Sequence, residues 1–170
     1  MLKVIIDTNV LIAANGRDCP QVTPQCQWSA VKYLRHIQQQ GQIVIDGQWL
    51  ILREYQHKVN PQGQPGVGDA FLKWILTNLA NPHRCQQVNI TPENGSFREF
   101  PEQPDLQHFD PSDRKFVAIA LQCSANPPII NAVDSDWLEF YQPLTQLGIT
   151  IKFICPDILA SPVITVNNQS

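Results

Sequence analysis

Residues 3–12 constrain this chain most. Val4-Ile5-Ile6 is apolar and β-branched, Asp7 follows, then the small polar pair Thr8-Asn9, then Val10-Leu11-Ile12. A continuous apolar run of this kind reads as a strand buried on both faces, the pattern of a parallel sheet. It ends on a carboxylate, which is expensive to bury unless it is hydrogen-bonded, paired or bound to a metal. Two explanations stay open. Asp7 is a helix N-cap, for which Asp is a favoured residue, or it belongs to a site at the edge of a sheet.

Downstream, strand-like and helix-like segments alternate. Apolar residues at helical spacing (Trp28, Val31, Leu34, Ile37) predict a helix over 27–39. Strand 42–46 follows, then helix 48–59. The Gly/Pro-rich segment 60–68 reads as a flexible connection within one domain. Helix 69–80 and strand 85–90 come next. Residues 91–109, interrupted by Pro92, Pro101 and Pro104, form a long irregular stretch of the kind that is usually functional or disordered. Asp110-Pro111-Ser112-Asp113 predicts a helix running to Cys123, with Asp110 as N-cap, Pro111 at the first helical position and Asp113 at N3. Strand 127–133, a short helix after Asp134-Ser135-Asp136 and a last strand 149–154 complete the series. Such alternation predicts an α/β domain over 1–155, with a mostly parallel central sheet flanked by helices, and a C-terminal tail over 156–170.

Charge narrows the range of functions. The chain has 170 residues, a formal net charge of -3 and a sequence pI of about 5.7. Bulk electrostatics therefore does not draw it to nucleic acid, and any such contact must come from a local patch. The five cysteines are widely spaced and contain no C-x-x-C pair, which argues against zinc. They read as reduced, mostly buried thiols, with Cys19 and Cys26 near enough in one loop to pair. Neither a signal-peptide pattern nor a membrane-length apolar run is present, so a soluble, cytoplasmic protein is expected.

The acids form a constellation. In parallel α/β sheets ligands bind beyond the carboxyl ends of the strands, and Asp7 and Asp134 each follow a strand. Asp113 shares a helix face with Phe116, Val117 and Ala120, so it points toward the sheet. Glu54 borders the buried face of its helix; its alternative is a surface pair with Lys58 at i+4. Asp134 and Asp136 are equally explained as helix-start anions. Clustered carboxylates repel unless a cation neutralises them, and an all-oxygen donor set suits Mg²⁺ or Mn²⁺.

With these residues in view, the chain resembles the PIN-domain family of metal-dependent ribonucleases. The matching segments are Val4-Ile5-Ile6-Asp7-Thr8-Asn9-Val10-Leu11-Ile12, Leu50-Ile51-Leu52-Arg53-Glu54-Tyr55, Asp113-Arg114-Lys115-Phe116-Val117-Ala118-Ile119-Ala120 and Ala132-Val133-Asp134-Ser135-Asp136-Trp137. The resemblance implies a PIN-like sandwich with its acids at one edge. Asp7, Glu54, Asp113 and Asp134 would be catalytic and metal-binding, Asp136 a further ligand, and Asn9 would orient Asp7. It implies a Mg²⁺/Mn²⁺-dependent endoribonuclease. The partners it suggests are RNA, an antitoxin protein if the chain is a toxin, and a second copy of the chain in a homodimer. The family often carries Thr or Ser where this chain has Ala132. Arg17, Arg53, Lys58, Arg114 and Lys115 are candidates to guide RNA phosphates. Two other readings compete: a non-catalytic PIN-like module that binds RNA or protein, and a phosphohydrolase with Asp7 as nucleophile. The second would want an Asp where Asn9 stands.

Overall fold

The computed structural model describes residues 1–17 and 19–155. In chain order these form β1 (Leu2–Ile6), α1 (Thr8–Asn15), α2 (Pro24–Gln40), β2 (Gly41–Asp46), α3 (Leu50–Lys58), α4 (Val67–Asn78) and β3 (Cys85–Val88). A two-stranded hairpin follows, β4 (Pro92–Glu93) and β5 (Ser96–Phe97). Then come a 3-10 turn (Pro104–Leu106), α5 (Arg114–Gln122), β6 (Ile129–Asn131), α6 (Asp136–Glu139), α7 (Tyr141–Gln146) and β7 (Ile151–Phe153).

Five strands make the central sheet, in the order β3-β2-β1-β6-β7, and every pairing in it is parallel. The expected α/β architecture with flanking helices is present. Val4, Ile5 and Ile6 are fully buried, as are Ile43, Val44, Ile129 and Ile130, because a central parallel strand is covered on both faces. Chain order explains where a site can form. From β1 the chain steps outward through β2 to β3, then crosses back to place β6 on the other side of β1. Right-handed crossovers put the connections of these two halves on opposite faces. The β1–β6 junction is thus a topological switch point, where a crevice opens beyond the strand ends.

Packing is tight on the α1 side. An added Cβ on Gly68 would stand 2.0 Å from the Leu11 carbonyl oxygen, so only glycine lets α4 approach α1 this closely. The Gly/Pro segment 60–68 is also less free than its composition suggests. Asp69 is fully buried. It accepts the Asn60 N–H at 2.8 Å, the Gly66 N–H at 2.8 Å, the Asn15 amide at 2.9 Å and the Arg17 guanidinium at 2.9 Å. One carboxylate therefore ties both ends of the segment to the end of α1.

Three further expectations are corrected. Residues 91–109 are not featureless: they hold the β4–β5 hairpin, and Phe100, Leu106 and Phe109 insert into the core, where apolar burial outweighs the proline interruptions. The helix expected from Asp110 begins one turn later, at Arg114. The Asp110 carboxylate bonds Ser112 instead, taking its N–H and its hydroxyl at 2.8 Å each, a local turn that competes with helix initiation. Finally, the thiols are not all reduced, and Cys19 does not pair with Cys26. Cys26, in α2, is disulfide-bonded to Cys155, 129 residues away, while Cys19, Cys85 and Cys123 are free. No spacing rule brings two residues so distant in sequence together; the position of β7 at the edge of the sheet does. The 156–170 tail lies outside the described residues. Among those described, no helix is long and apolar enough to cross a membrane.

Candidate metal centre

The centre is built on the turn after β1. Asp7 is the N-cap of α1, in extended conformation at φ -66 and ψ 144. Its Oδ1 accepts the Asn9 backbone N–H at 2.9 Å and the Asn9 side-chain amide at 2.7 Å. Capping therefore does not compete with a site; it aims the carboxylate. Oδ2 accepts the indole N–H of Trp137 at 2.6 Å. Asp7 is 3% exposed.

Asn9 acts as a splint between the two halves of the sheet. Besides Asp7, its amide donates to Asn131 Oδ1 at 2.7 Å, and its carbonyl oxygen accepts the Ala132 N–H at 2.7 Å. Asn131, fully buried at the end of β6, donates in turn to the Asp134 carbonyl at 3.0 Å. The turn carrying Asp134 is thereby fixed to the turn carrying Asp7. Asn9 meets the backbone at Ala132 directly.

Asp113 approaches from α5, where it occupies the N-cap position yet makes no capping hydrogen bond. It is 7% exposed, as its shared face with Phe116 and Val117 predicts. Carboxylate oxygens of Asp7, Asp113 and Asp134 lie within 4.8 Å of one another. A contiguous group shares Asp113: Asp110, Asp113 and Asp136 meet the same criterion. These acidic clusters could hold a metal ion.

The electrostatics reflects crowding. Burial pushes the Asp7 carboxyl up to about 7, aided by the charges of Asp134 and Glu54 and opposed by the Asn9 and Trp137 hydrogen bonds. Burial also drives Asp113 up to about 8, with Asp7, Asp134 and Asp110 adding to it and Lys115 opposing. Asp134 is raised too, by burial first, against the stabilising N–H of Asp136 and with the Asp136 charge adding to it. An aromatic wall produces the low dielectric. Trp137 packs edge-on against Phe109 and Phe116, with centroids 5.2 and 6.4 Å away.

Glu54 has different company from that expected. Its two oxygens accept from the Thr8 hydroxyl and the Lys115 ammonium; the partner is Lys115, not Lys58. Glu54 acts on Asp7 through its charge but is not one of the three clustered acids. Lys115 is buried at 7% exposure and also donates to the Ser112 carbonyl, which makes it an internal counter-ion and not a surface contact for phosphates. Arg17 bonds Asp69 at the opposite end of α1 from Asp7. Arg114 folds back on the Gln107 and Phe109 carbonyls and over the Phe100 ring, 4.9 Å from its centroid. Arg53 and Lys58 remain exposed on α3.

Sequence reasoning missed Asp110, Asn131 and Trp137. Asn131 carried a signal: it is the one polar residue inside an apolar strand, and a buried amide there needs partners. Asp110 was absorbed by its role as a turn former. Trp137 looked like ordinary core, since nothing in its spacing reveals where an indole N–H will point. No protein-family model, curated protein or solved structure matches the chain, so the centre is read from its own geometry.

Proposed function

We propose that the protein is a Mg²⁺/Mn²⁺-dependent endoribonuclease of the PIN-domain type. One observation carries this reading. Asp113 is an almost fully buried carboxylate that caps nothing and faces two other carboxylates. Such a group has no structural task, and a divalent cation would relieve its repulsion. Asp7, Asp113 and Asp134 would hold the ion, with Asp110 and Asp136 extending the donor set outward. Hard oxygen donors without His or Cys fit Mg²⁺ or Mn²⁺. A divalent ion supplies Lewis acidity toward a phosphodiester and the water that attacks it.

The chain's own residues do the rest. Asn9 and Trp137 hold Asp7 in one orientation, Asn131 holds the Asp134 turn, and Lys115 balances Glu54. A carboxylate of the set left free of the cation takes the proton from water. A toxin role with an antitoxin partner, self-association and a cytoplasmic location belong to the same reading. A second reading, a non-catalytic binding module, draws on Glu54, whose two oxygens are taken up by the Thr8 hydroxyl and the Lys115 ammonium.

The experiment incubates assorted RNAs with the purified protein and Mn²⁺, beside Asp7→Asn and Asp113→Asn. Cleavage by the parent alone, with saturable Mn²⁺ binding lost in Asp7→Asn, supports the enzyme. Equal cleavage by all three proteins refutes the assignment of these acids. Mn²⁺-independent RNA binding without cleavage favours the module.

A further inference from the structure

The turn between β2 and α3 presents an aromatic ring that the fold itself does not use. Trp49 is 46% exposed and adopts left-handed backbone angles, φ 69 and ψ 21. That conformation is an outlier for a bulky residue, and the surrounding structure must enforce it. Asp46, 1% exposed, does so. Its carboxylate accepts the N–H groups of Gln48, Leu50 and Ile51, each at 2.9 Å. The Gly47 N–H donates to the Val88 carbonyl at 2.9 Å, and Arg53 reaches the Gln48 carbonyl at 3.3 Å. The indole is therefore held outward on a rigid turn.

We propose that Trp49 is a stacking platform for an unpaired nucleobase beside the phosphate that the acid cluster addresses. The inference rests on the nuclease reading above and narrows its substrate to single-stranded RNA. Position argues for it. β2 runs parallel to β1, so Trp49 stands on the same sheet edge as Asp7. It precedes Glu54 by five residues, about 7.5 Å along a helix axis. A cleft of about 410 Å³ is lined by Leu50, the residue after Trp49, by Pro111 next to Asp110, and by the β4–β5 hairpin. The exposed Arg53, one turn on, adds a cation that bonds the same turn at the Gln48 carbonyl. An aromatic face with a neighbouring guanidinium is what single strands use, because only an unpaired base offers a free face.

The test uses a fluorescein-labelled, phosphorothioate-linked RNA oligonucleotide that resists hydrolysis, as single strand and as duplex, read by anisotropy with Mn²⁺ present. Three variants are compared: Trp49→Phe, Trp49→Ala and Trp49→Gly. Glycine accepts the left-handed angles, so Trp49→Gly keeps the turn even where Trp49→Ala fails to fold. The expected result is single-strand binding weakened about tenfold in Trp49→Ala and Trp49→Gly, and largely retained in Trp49→Phe. Duplex affinity should be the same in all four proteins. Parent-like single-strand affinity in folded Trp49→Gly, or no single-strand binding by the parent, overturns the stacking role. Cleavage of ordinary RNA by the parent is scored separately. Binding that depends on Trp49 without cleavage sinks the nuclease reading; cleavage with binding indifferent to Trp49 sinks this one.

Discussion

Without a divalent ion, the acid cluster should make the fold weaker as pH rises, and Asp7→Asn should flatten that dependence. Asp7 is 3% exposed and its carboxyl is raised from 3.8 to about 7. The folded state therefore keeps a proton that the unfolded chain releases above its ordinary value. Stability is greatest below that value, falls as pH rises toward 7, and levels off above it. From about pH 5 upward Asp7 alone covers two units, about 3 kcal/mol at 1.36 kcal/mol per unit. Asp113, raised to about 8, acts in the same direction. The two contributions do not add, because each charge is part of the other's shift. Asp69 and Glu99 have lowered values, so their stabilisation is already complete at the start of this range. Asparagine removes the Asp7 charge and relieves Asp113, but it turns one N–H toward the Trp137 donor or the Asn9 donors. That clash costs about 1–3 kcal/mol and does not depend on pH. The slope is therefore the informative quantity. Urea unfolding in EDTA, from about pH 5 to about pH 8.5, should show the parent losing about 3 kcal/mol or more and Asp7→Asn losing about half as much. At the alkaline end, Mn²⁺ at about 100 times its Kd should restore about 2.7 kcal/mol to the parent and little to the variant. A parent whose stability is flat or rises with pH in EDTA, or a variant with the parent's slope, would refute the reasoning.

Trp137→Phe keeps the aromatic wall but removes the donor to Asp7 Oδ2. Losing a bond to the charged form raises the Asp7 value further, so the onset of Mn²⁺ binding in calorimetry should move about one pH unit higher. Asn9→Ala cuts the splint between the β1 and β6 turns and should cost about 2–3 kcal/mol in urea unfolding, with Mn²⁺ affinity falling alongside; unchanged Mn²⁺ affinity would deny Asn9 its positioning role. Thiol titration of the denatured, unreduced protein should count three free thiols, Cys19, Cys85 and Cys123, and five after reduction. Loss of the Cys26–Cys155 link in Cys155→Ser should destabilise the fold by about 2–4 kcal/mol, a share of the roughly 5 kcal/mol that loop entropy allows for a closure this long.

Local pattern alone determined the class of architecture. β-branched runs, helical spacing and turn residues all act over a few neighbours, so strand–helix alternation, the parallel sheet and the acid at the end of β1 were legible in the chain. So was the inward aim of Asp113, since a helix face follows from offsets of three and four. Element boundaries were less so, and the late start of α5 shows why: the Asp110 turn and helix initiation compete for the same backbone groups. Tertiary structure decided the rest. It chose Lys115 over Lys58 for Glu54, paired Cys26 with Cys155, folded 91–109 into the core and pointed the Trp137 indole at Asp7. Each depends on which segments the sheet order brings together, and contacts across 61 to 130 residues leave no periodic trace in the sequence. The Asp7 turn marks the division. Its composition announced a buried carboxylate, but only the tertiary assembly supplied the burial that raises its pKa, with Asp134 brought in after β6 and Glu54 on α3 adding to it, and gathered acids that could hold a cation.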